Sequence, residues 1–402
     1  MKHPINKLLA ACLAITFAVT AQAQDPDGLN RELELAINSG DVTRVQGLLA
    51  RGAAPNFIDS SWYSMLYRAL REGGRTPIVT ALLEAGADPN LSSRGVPPLH
   101  QAMSGIAFYG AATLEPVIAL LAAGADPNLV DVYGRTPLYI ALEDRANPQV
   151  RGIIVSRLLA AGADPSRGAP LGLAAQGKLV DAVSHLLAAG ADPNAFTTKR
   201  WSGKKVRPLQ LAKLYDDLEG QAIVYLLLAA GADPNVFFKQ NEWSSHERTP
   251  LHWMVAESHA SMVAALLAAG ANPDMVNEDG GLPPIHHAVT HGHSVIMSAL
   301  VDAGVNLDVA YSDGATLLHH AVERGRASTV TVLLEAGADP NVGDRDGKTP
   351  LYWAAWEGSP GPIVALLKGG ADHGAADSEG VTPLLVALER NNLAAVELLR
   401  GE

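Results

Sequence analysis

Gly337-Ala338-Asp339-Pro340-Asn341 follows closely behind the apolar pair Leu333-Leu334. The same five residues occur at 86–90, 124–128, 190–194 and 231–235, and near-copies begin at Gly52, Gly162, Gly270, Gly304 and Gly370. Successive glycines of this series are 34, 38, 38, 28, 41, 39, 34, 33 and 33 residues apart. A segment that returns at such intervals predicts a chain built from stacked structural repeats.

The stretch 344–372 illustrates the structure that one repeat predicts. Residues 344–347 (Asp-Arg-Asp-Gly) form a tight-turn pattern, and Thr349-Pro350 is a helix start with an N-cap and a proline in the first turn. Gly358 ends this first helix, and Gly370 ends the second at the position that favours a left-handed backbone. The apolar stripe predicted for the second helix consists of Ile363, Val364, Leu366 and Leu367.

The turn–helix–helix pattern resembles the ankyrin repeat. Thr249-Pro250-Leu251-His252 matches the Thr-Pro-Leu-His signature of that family in full, and residues 98–100, 136–139, 284–286 and 382–384 match it in part. The resemblance implies an all-α ankyrin-repeat solenoid of about eleven repeats over residues 29–402. The expected boundaries are an N-terminal capping repeat at 29–56, internal repeats at 57–374 and a C-terminal capping repeat at 375–402. The resemblance also implies that His100, His252, His286 and His319 are structural, each bonded to turn backbone.

Residues 1–23 do not fit the repeat. Lys2 and Lys7 precede an apolar run, and Ala21-Gln22-Ala23 has the small-x-small pattern of a cleavage site, so we expect a secretory signal peptide cut between Ala23 and Gln24. Residues 24–28 would be a short linker. Lipidation at Cys12 is the alternative to cleavage after Ala23, but the apolar run before this cysteine is too short for an export signal.

Composition narrows the choice of function. Cys12 is the only cysteine, so the processed chain would have no thiol for a nucleophile, an iron–sulfur cluster or a thiolate zinc site. Loss of Lys2 and Lys7 would change the formal charge from −12 to −14. Such an acidic chain is not typical of proteins that bind nucleic acid or anionic membranes. His287, His291 and His320 could be grouped as metal ligands. However, the sequence has neither a His-Glu-x-x-His pattern nor an obvious third ligand for zinc, and it contains no cofactor-binding motif.

The loops between repeats, called fingers below, provide the strongest candidates for binding. The finger of the sixth repeat is long and basic, and the adjacent finger of the seventh is aromatic, which is typical of interface anchors. The predicted protein-binding residues of these two fingers are Lys199, Arg200, Trp201, Lys204, Lys205, Arg207, Phe237, Phe238 and Trp243. The alternative is a solvated basic loop whose aromatic residues pack on the body of the protein.

The first helices supply a second set of predicted protein-binding residues, Trp253, Trp353 and Trp356, with core packing as the alternative for each. Tyr133 and Tyr311, in finger turns, are weaker candidates. The fifth repeat is short and predicts a notch beside the enlarged fingers. Extra residues at 104–113 and 145–152 are expected between the helices of the third and fourth repeats. From Gly270 onward the spacing is regular.

These observations predict a non-enzymatic protein–protein interaction module of the bacterial periplasm. We expect a monomer that binds, and inhibits or chaperones, an unidentified and acidic partner protein, without a cofactor. One alternative is a secreted effector that binds host proteins. Another is an enzyme with a site on the concave face of the solenoid.

Overall fold

The computed structural model describes residues 26–71, 75–104, 114–143, 147–198, 203–212, 217–238, 247–276, 281–307 and 309–401. Contacts divide the chain into two compact bodies, one ending at Thr198 and the other beginning at Lys199. We call them the N-terminal body and the C-terminal body and describe each by itself. The predicted cleavage site at Ala23 and Gln24 lies outside the described residues.

Within its described residues, the N-terminal body contains five helix pairs and one short strand. Its elements are α1 (Pro26–Ser39), α2 (Val42–Ala50), α3 (Met65–Arg71), α4 (Thr76–Glu84), α5 (Pro98–Ser104), α6 (Leu114–Ala122), α7 (Pro137–Glu143), α8 (Pro148–Ala160), α9 (Pro170–Gln176), α10 (Val180–Ala188) and β1 (Thr197–Thr198). First helices of successive pairs contact one another, and second helices do the same. The result is two parallel layers of helices.

The described part of the C-terminal body repeats this arrangement with six pairs. Its elements are β2 (Lys205–Val206), α11 (Pro208–Leu211), α12 (Leu218–Ala229), α13 (Pro250–Ala256), α14 (Ala260–Ala268), α15 (Pro284–His291), α16 (Ser294–Asp302), α17 (Leu317–Glu323), α18 (Ala327–Glu335), α19 (Pro350–Glu357), α20 (Pro360–Lys368), α21 (Pro383–Glu389) and α22 (Leu393–Arg400). The described residues therefore form eleven helix pairs, and the predicted all-α repeat fold is confirmed.

Local chemistry starts and ends these helices as the sequence predicts. The Thr349 side chain accepts a hydrogen bond from the Tyr352 amide at the start of α19, and Gly358 ends that helix with φ of 68°. The ten glycines that open the recurring segments all have φ between 79° and 96°, a backbone conformation that glycine adopts without strain. In α20, Ile363 and Leu366 are fully buried, whereas Val364 and Leu367 are only half-buried, so the predicted stripe is narrower than expected.

Hydrogen bonds from the recurring asparagine join one repeat to the next. The side-chain nitrogen Nδ2 of Asn128 donates to the Gly162 carbonyl (2.9 Å), and the side-chain oxygen Oδ1 accepts from the Asp164 backbone amide (2.8 Å). The same pair of bonds to the following repeat is formed by Asn56, Asn90, Asn235 and Asn341. We call this series the asparagine ladder. Because each asparagine satisfies a carbonyl and an amide of its neighbour, the ladder fixes the spacing between repeats.

The short fifth repeat does not present an open notch at its first helix. A β-carbon added at Gly172 of α9 would overlap the Thr197 hydroxyl of β1, which is only 5% exposed. Glycine at position 172 thus allows β1 to lie directly on α9. In the fourth repeat, residues 148–152 are the first turns of α8, so the prediction that they lie between helices was wrong.

The eighth and ninth repeats depart from the pattern despite their regular spacing. Asp274 occupies the ladder position of asparagine, and Pro283 occupies the N-cap position of threonine. Tyr311 replaces the turn aspartate that Asp131, Asp344 and Asp377 provide in other repeats. Regularity from Gly270 onward, predicted from spacing alone, therefore does not extend to the individual side chains.

Among the described residues, no helix is both long enough and apolar enough to cross a lipid bilayer.

Candidate protein-binding surface

The basic finger of the sixth repeat is partly neutralised by its own chain. Lys204 forms an ion pair with Glu247 (2.7 Å), and Arg207 forms one with Asp233 (2.5 Å). Lys205 is exposed. The predicted binding residues Lys199, Arg200 and Trp201 lie outside the described residues. Two of the three described basic side chains thus have carboxylate partners within the C-terminal body, which reduces the positive charge that this finger offers to an acidic partner.

The aromatic finger of the seventh repeat is anchored to the body. Phe238 is buried (8% exposed), and its amide and carbonyl exchange hydrogen bonds with those of Arg248, each 3.0 Å long. Phe237 is half-buried, and its carbonyl accepts from the Gln210 side chain (2.6 Å). Trp243 lies outside the described residues. For Phe238 the geometry favours the packing alternative.

The three tryptophans of the first helices lie in different surroundings. Trp253 is 7% exposed, with the Arg248 guanidinium 5.1 Å from its ring centre, so its indole is a packing element. Trp353 is half-buried, and Trp356 is 41% exposed. Trp353 and Trp356 are three residues apart on α19 and therefore share one face of that helix. Only these two of the three remain accessible to a partner.

A cleft of about 230 Å³ lies where the finger of the tenth repeat meets α19. Its walls include both tryptophans, Tyr352, the finger residues Asp344, Asp346 and Lys348, and Glu357. We call it the α19 cleft. The Trp353 indole N–H donates to Asp344 Oδ2 (3.1 Å), and the His319 ring meets Trp353 edge-on at 5.5 Å. These contacts hold the Trp353 ring in one orientation.

Electrostatics in the α19 cleft are set by adjacent carboxylates. The Lys348 ammonium bonds to Asp346 (3.1 Å), which raises the pKa of Lys348. Burial raises the pKa of the Tyr352 phenol, and the negative charge of Asp377 contributes in the same direction. The Arg390 guanidinium lies 3.9 Å from the Trp356 ring centre. The cleft therefore combines flat aromatic walls with negative charge.

A second groove lies in the N-terminal body, where the finger of the fourth repeat meets α5 and α7. It encloses about 570 Å³ and includes Tyr133 and Val132, which are 78% and 61% exposed. Arg135 bonds to Asp131 (2.7 Å), and its guanidinium lies 5.0 Å from the Tyr133 ring centre. Burial alone would raise the pKa of Asp131, but the hydrogen bonds that its carboxylate accepts from Arg135 and Tyr133 outweigh this effect and lower it. No sequence pattern ranks Tyr133 above other finger residues, because the exposure of its ring depends on the conformation of the turn.

Three of the four histidines predicted to be structural bond to the adjacent finger or to the helix N-cap. His100 Nε2 lies 2.8 Å from the Arg135 carbonyl, and His319 Nε2 lies 2.8 Å from the Lys348 carbonyl. His252 Nδ1 lies 2.8 Å from the Thr249 hydroxyl. Burial lowers the pKa of all three imidazoles, for His252 to about 4.

His286 is the exception, and the prediction that it bonds to turn backbone was wrong. Pro283 supplies no hydroxyl to its Nδ1, and among the described residues neither ring nitrogen has a hydrogen-bond partner. Instead the Tyr311 ring meets the imidazole edge-on at 4.1 Å. Burial lowers the pKa of His286 to about 3, and neighbouring His320 and His287 act in the same direction.

The remaining histidines do not assemble a metal site within the described part of the chain. His287 and His291 stack at 6.2 Å, while His320 pairs with Glu323 (3.1 Å). No group of three potential ligands with metal-binding geometry occurs among the residues described.

Comparison with known proteins agrees with this architecture. The family model for ankyrin repeats (three copies) matches residues 105–197, 209–311, 251–344, 299–377 and 318–402, which together cover well over half of the chain. A 2-5A-dependent ribonuclease from Mus musculus is 45% identical over 56 residues, which is 14% of this chain and 8% of that protein. The chain thus spans a small fraction of that relative. With eleven helix pairs, left-handed glycines at the repeat ends and the family model matched across most of its length, this chain belongs to the ankyrin-repeat family.

Proposed function

We propose that this protein is a non-enzymatic module that binds a partner protein along the grooves between its fingers and first helices. Ankyrin repeats are a protein-interaction fold, and repeat proteins use extended surfaces for binding. The observation that carries the proposal is the exposure of an aromatic ring at two such grooves, Tyr133 in one body and Trp356 in the other. Tyr and Trp, with Arg, are the residues most enriched among the energetic anchors of interfaces.

Each exposed ring is supported by an arginine of its own chain. Arg135 lies over Tyr133, and Arg390 lies over Trp356. A ring that is already held against a guanidinium loses less rotational freedom when a partner covers its remaining surface. Such preorganisation, on helices and fingers fixed by the asparagine ladder, favours affinity by lowering the entropic cost of binding.

The experiment compares exposed residues in the grooves with exposed residues outside them. Trp356→Ala and Tyr133→Ala test the grooves. Val295→Ala and Leu393→Ala are matched controls, because both residues are 70% exposed near the starts of second helices. We expect each groove variant to weaken binding of a captured partner by at least about 30-fold, the size of a hot-spot effect near 2 kcal/mol. Equal effects of groove and control variants would contradict the proposal.

We further propose that the protein acts outside the cytoplasm, in the periplasm of a bacterium, as a soluble monomer that inhibits or chaperones its partner. The support is the sequence pattern of residues 1–23. N-terminal sequencing of the protein from an extracytoplasmic fraction should yield Gln24 as the first residue. Retention of Met1, or lipid on Cys12, would refute this proposal. Recovery from the medium instead of the periplasm would favour a secreted effector.

We also propose that the partner is acidic. The support is the exposed Lys205 and the basic residues Lys199 and Arg200 in the same finger. Lys205→Glu should weaken capture of an acidic partner and reduce its dependence on salt concentration. Lys204→Glu is a less direct test, because it also places a carboxylate beside Glu247. Capture that is independent of salt would exclude an acidic partner at this finger.

A further inference from the structure

The α19 cleft has the size of a single side chain. Its volume of about 230 Å³ is below the range of roughly 300–1,000 Å³ that is typical of pockets for drug-sized ligands. A small-molecule site would also be expected to be closed and mostly apolar, whereas this cleft is lined by three carboxylates. One residue projecting from a partner protein is the occupant that fits.

The charge of the α19 cleft favours a cationic occupant. Among the residues that line the cleft, the carboxylates of Asp344, Asp346 and Glu357 outnumber one cation, Lys348, which is already bonded to Asp346; a second cation, Arg390, lies against the Trp356 ring. Both oxygens of Asp344 accept hydrogen bonds, Oδ2 from the Trp353 indole and Oδ1 from backbone amides of its own turn. Among the described residues Glu357 forms no ion pair, and it is exposed at the rim of the cleft. Its carboxylate is therefore available to a cation from outside.

The aromatic walls favour a planar cation. A guanidinium stacks on aromatic faces, whereas an ammonium is compact and strongly hydrated. The chain itself illustrates both cases: the Arg390 guanidinium lies 3.9 Å from the Trp356 ring centre, and the Lys348 ammonium lies 5.9 Å from that of Tyr352. Trp356 nevertheless remains 41% exposed, so part of its ring is left for another group.

We propose that the α19 cleft receives the guanidinium of an arginine side chain of the partner protein, stacked on Trp356 and paired with Glu357. This inference rests on the proposed function, since it names the chemistry recognised at one of the two grooves. The arginine proposed for the α19 cleft is positively charged, whereas the partner surface proposed for the finger of the sixth repeat is negatively charged. Both proposals are compatible with one partner protein if its arginine lies apart from its acidic surface.

The test uses capped tripeptides of the form acetyl-Gly-X-Gly-amide added to the full-length protein, where X is arginine, citrulline or lysine. Citrulline matches arginine in shape but carries no charge. The indole N–H signals of Trp353 and Trp356 are followed by NMR and assigned with Trp353→Phe and Trp356→Ala. We expect arginine to shift both signals saturably with a Kd in roughly the millimolar range, lysine to bind more weakly, and citrulline to produce no saturable shift.

Two variants and one control complete the test. Glu357→Gln should weaken arginine binding about 2- to 5-fold, as expected for an exposed ion pair, and Trp356→Ala should abolish the saturable shift of the Trp353 signal. Trp62→Ala removes a tryptophan that is 72% exposed on the finger of the second repeat, and it should change nothing. Thermal unfolding of each variant verifies that the fold is intact.

Equal shifts with citrulline and arginine, or binding that is indifferent to both Glu357→Gln and Trp356→Ala, would overturn the inference. The proposed function would survive that result if Trp356→Ala still weakened partner capture. If arginine binds as expected while capture is indifferent to both Trp356→Ala and Tyr133→Ala, the proposed function fails instead.

Discussion

Replacing Asp274 by asparagine should restore a missing bond of the asparagine ladder. Asp274 Oδ1 accepts from the Asn306 amide (2.8 Å), as the ladder asparagines do from the repeat that follows each of them. A carboxylate has no proton to donate to the Gly304 carbonyl. In the neighbouring repeat the equivalent donor, Asn235 Nδ2, lies 3.3 Å from the Gly270 carbonyl. Asparagine at position 274 keeps the acceptor and adds the donor.

The expected gain follows from the value of one neutral hydrogen bond near the surface. Such a bond contributes about 0.5–1.5 kcal/mol, and the exposure of this site places the gain toward the lower end. A repeat array need not unfold in a single step, so a local measurement is more informative than a melting temperature. If amide exchange near residues 304–306 proceeds by local opening, Asp274→Asn should slow it by about 2- to 10-fold.

Hydrogen–deuterium exchange with mass spectrometry measures this effect on peptides that contain Gly304 and Asn306. Asp274→Ala is the matched control, because it removes the acceptor and should accelerate exchange of the same peptides. Exchange that is unchanged or faster in Asp274→Asn would refute the claim that the ladder bonds stabilise the contact between repeats.

Three further predictions concern buried positions. His286 has a lowered pKa of about 3 in the folded protein against about 6.5 unfolded, so acid protonates the unfolded chain first, and stability is lost progressively as the pH falls from about 7.5 toward 3. His286→Leu should remove about 2 kcal/mol of the loss between pH 8 and pH 5 in urea unfolding, and an unchanged pH dependence would contradict the burial of a neutral imidazole. Leu366→Ala should lower the free energy of unfolding by about 2–5 kcal/mol in denaturant titrations, because Leu366 is fully buried, and a loss below 1 kcal/mol would show that the site collapses around the change. Gly172→Ala should cost about 1–3 kcal/mol through overlap with Thr197, and Thr197→Gly should rescue it in a double-mutant cycle, whereas additive effects would exclude their contact.

The sequence was sufficient for features that are local to one repeat. An N-cap threonine, a proline in the first helical turn and a glycine at the helix end act within a few residues. They occur where predicted: Thr349 and Pro350 start α19, Gly358 ends it, and Gly370 follows the end of α20. Periodicity then predicted eleven helix pairs, since every repeat must bury one face against the next. The resemblance to ankyrin repeats added the backbone bonds of His100 and His319, whereas His252 bonds to the Thr249 hydroxyl.

Features that depend on two repeats at once were not predictable. His286 occupies the same motif position as His319, yet its bonding depends on Pro283 before it and on Tyr311 in the next finger. Trp253 and Trp353 likewise share a helix position, but Arg248 lies over the Trp253 ring and the indole is buried. In this case the difference in exposure comes from the finger residue that packs on the ring within the same repeat, and not from the motif.

Some positions of the first helix are not specified by the repeat motif, and variation at these positions can give a uniform fold a specific binding surface. The residue after the His/Tyr position of the first helix is Trp253, His287, His320 and Trp353 in four successive repeats of the C-terminal body. The corresponding position in the second to fifth repeats is Arg68, Gln101, Ile140 and Leu173. Threonine, proline, glycine and the ladder asparagine maintain the fold, so this position is free to vary without loss of structure. Trp253 is buried and serves packing, but the rings of His287, His320 and Trp353 are only half-buried, and this shorter row, ending at the α19 cleft, is better explained by recognition of a partner than by the requirements of folding.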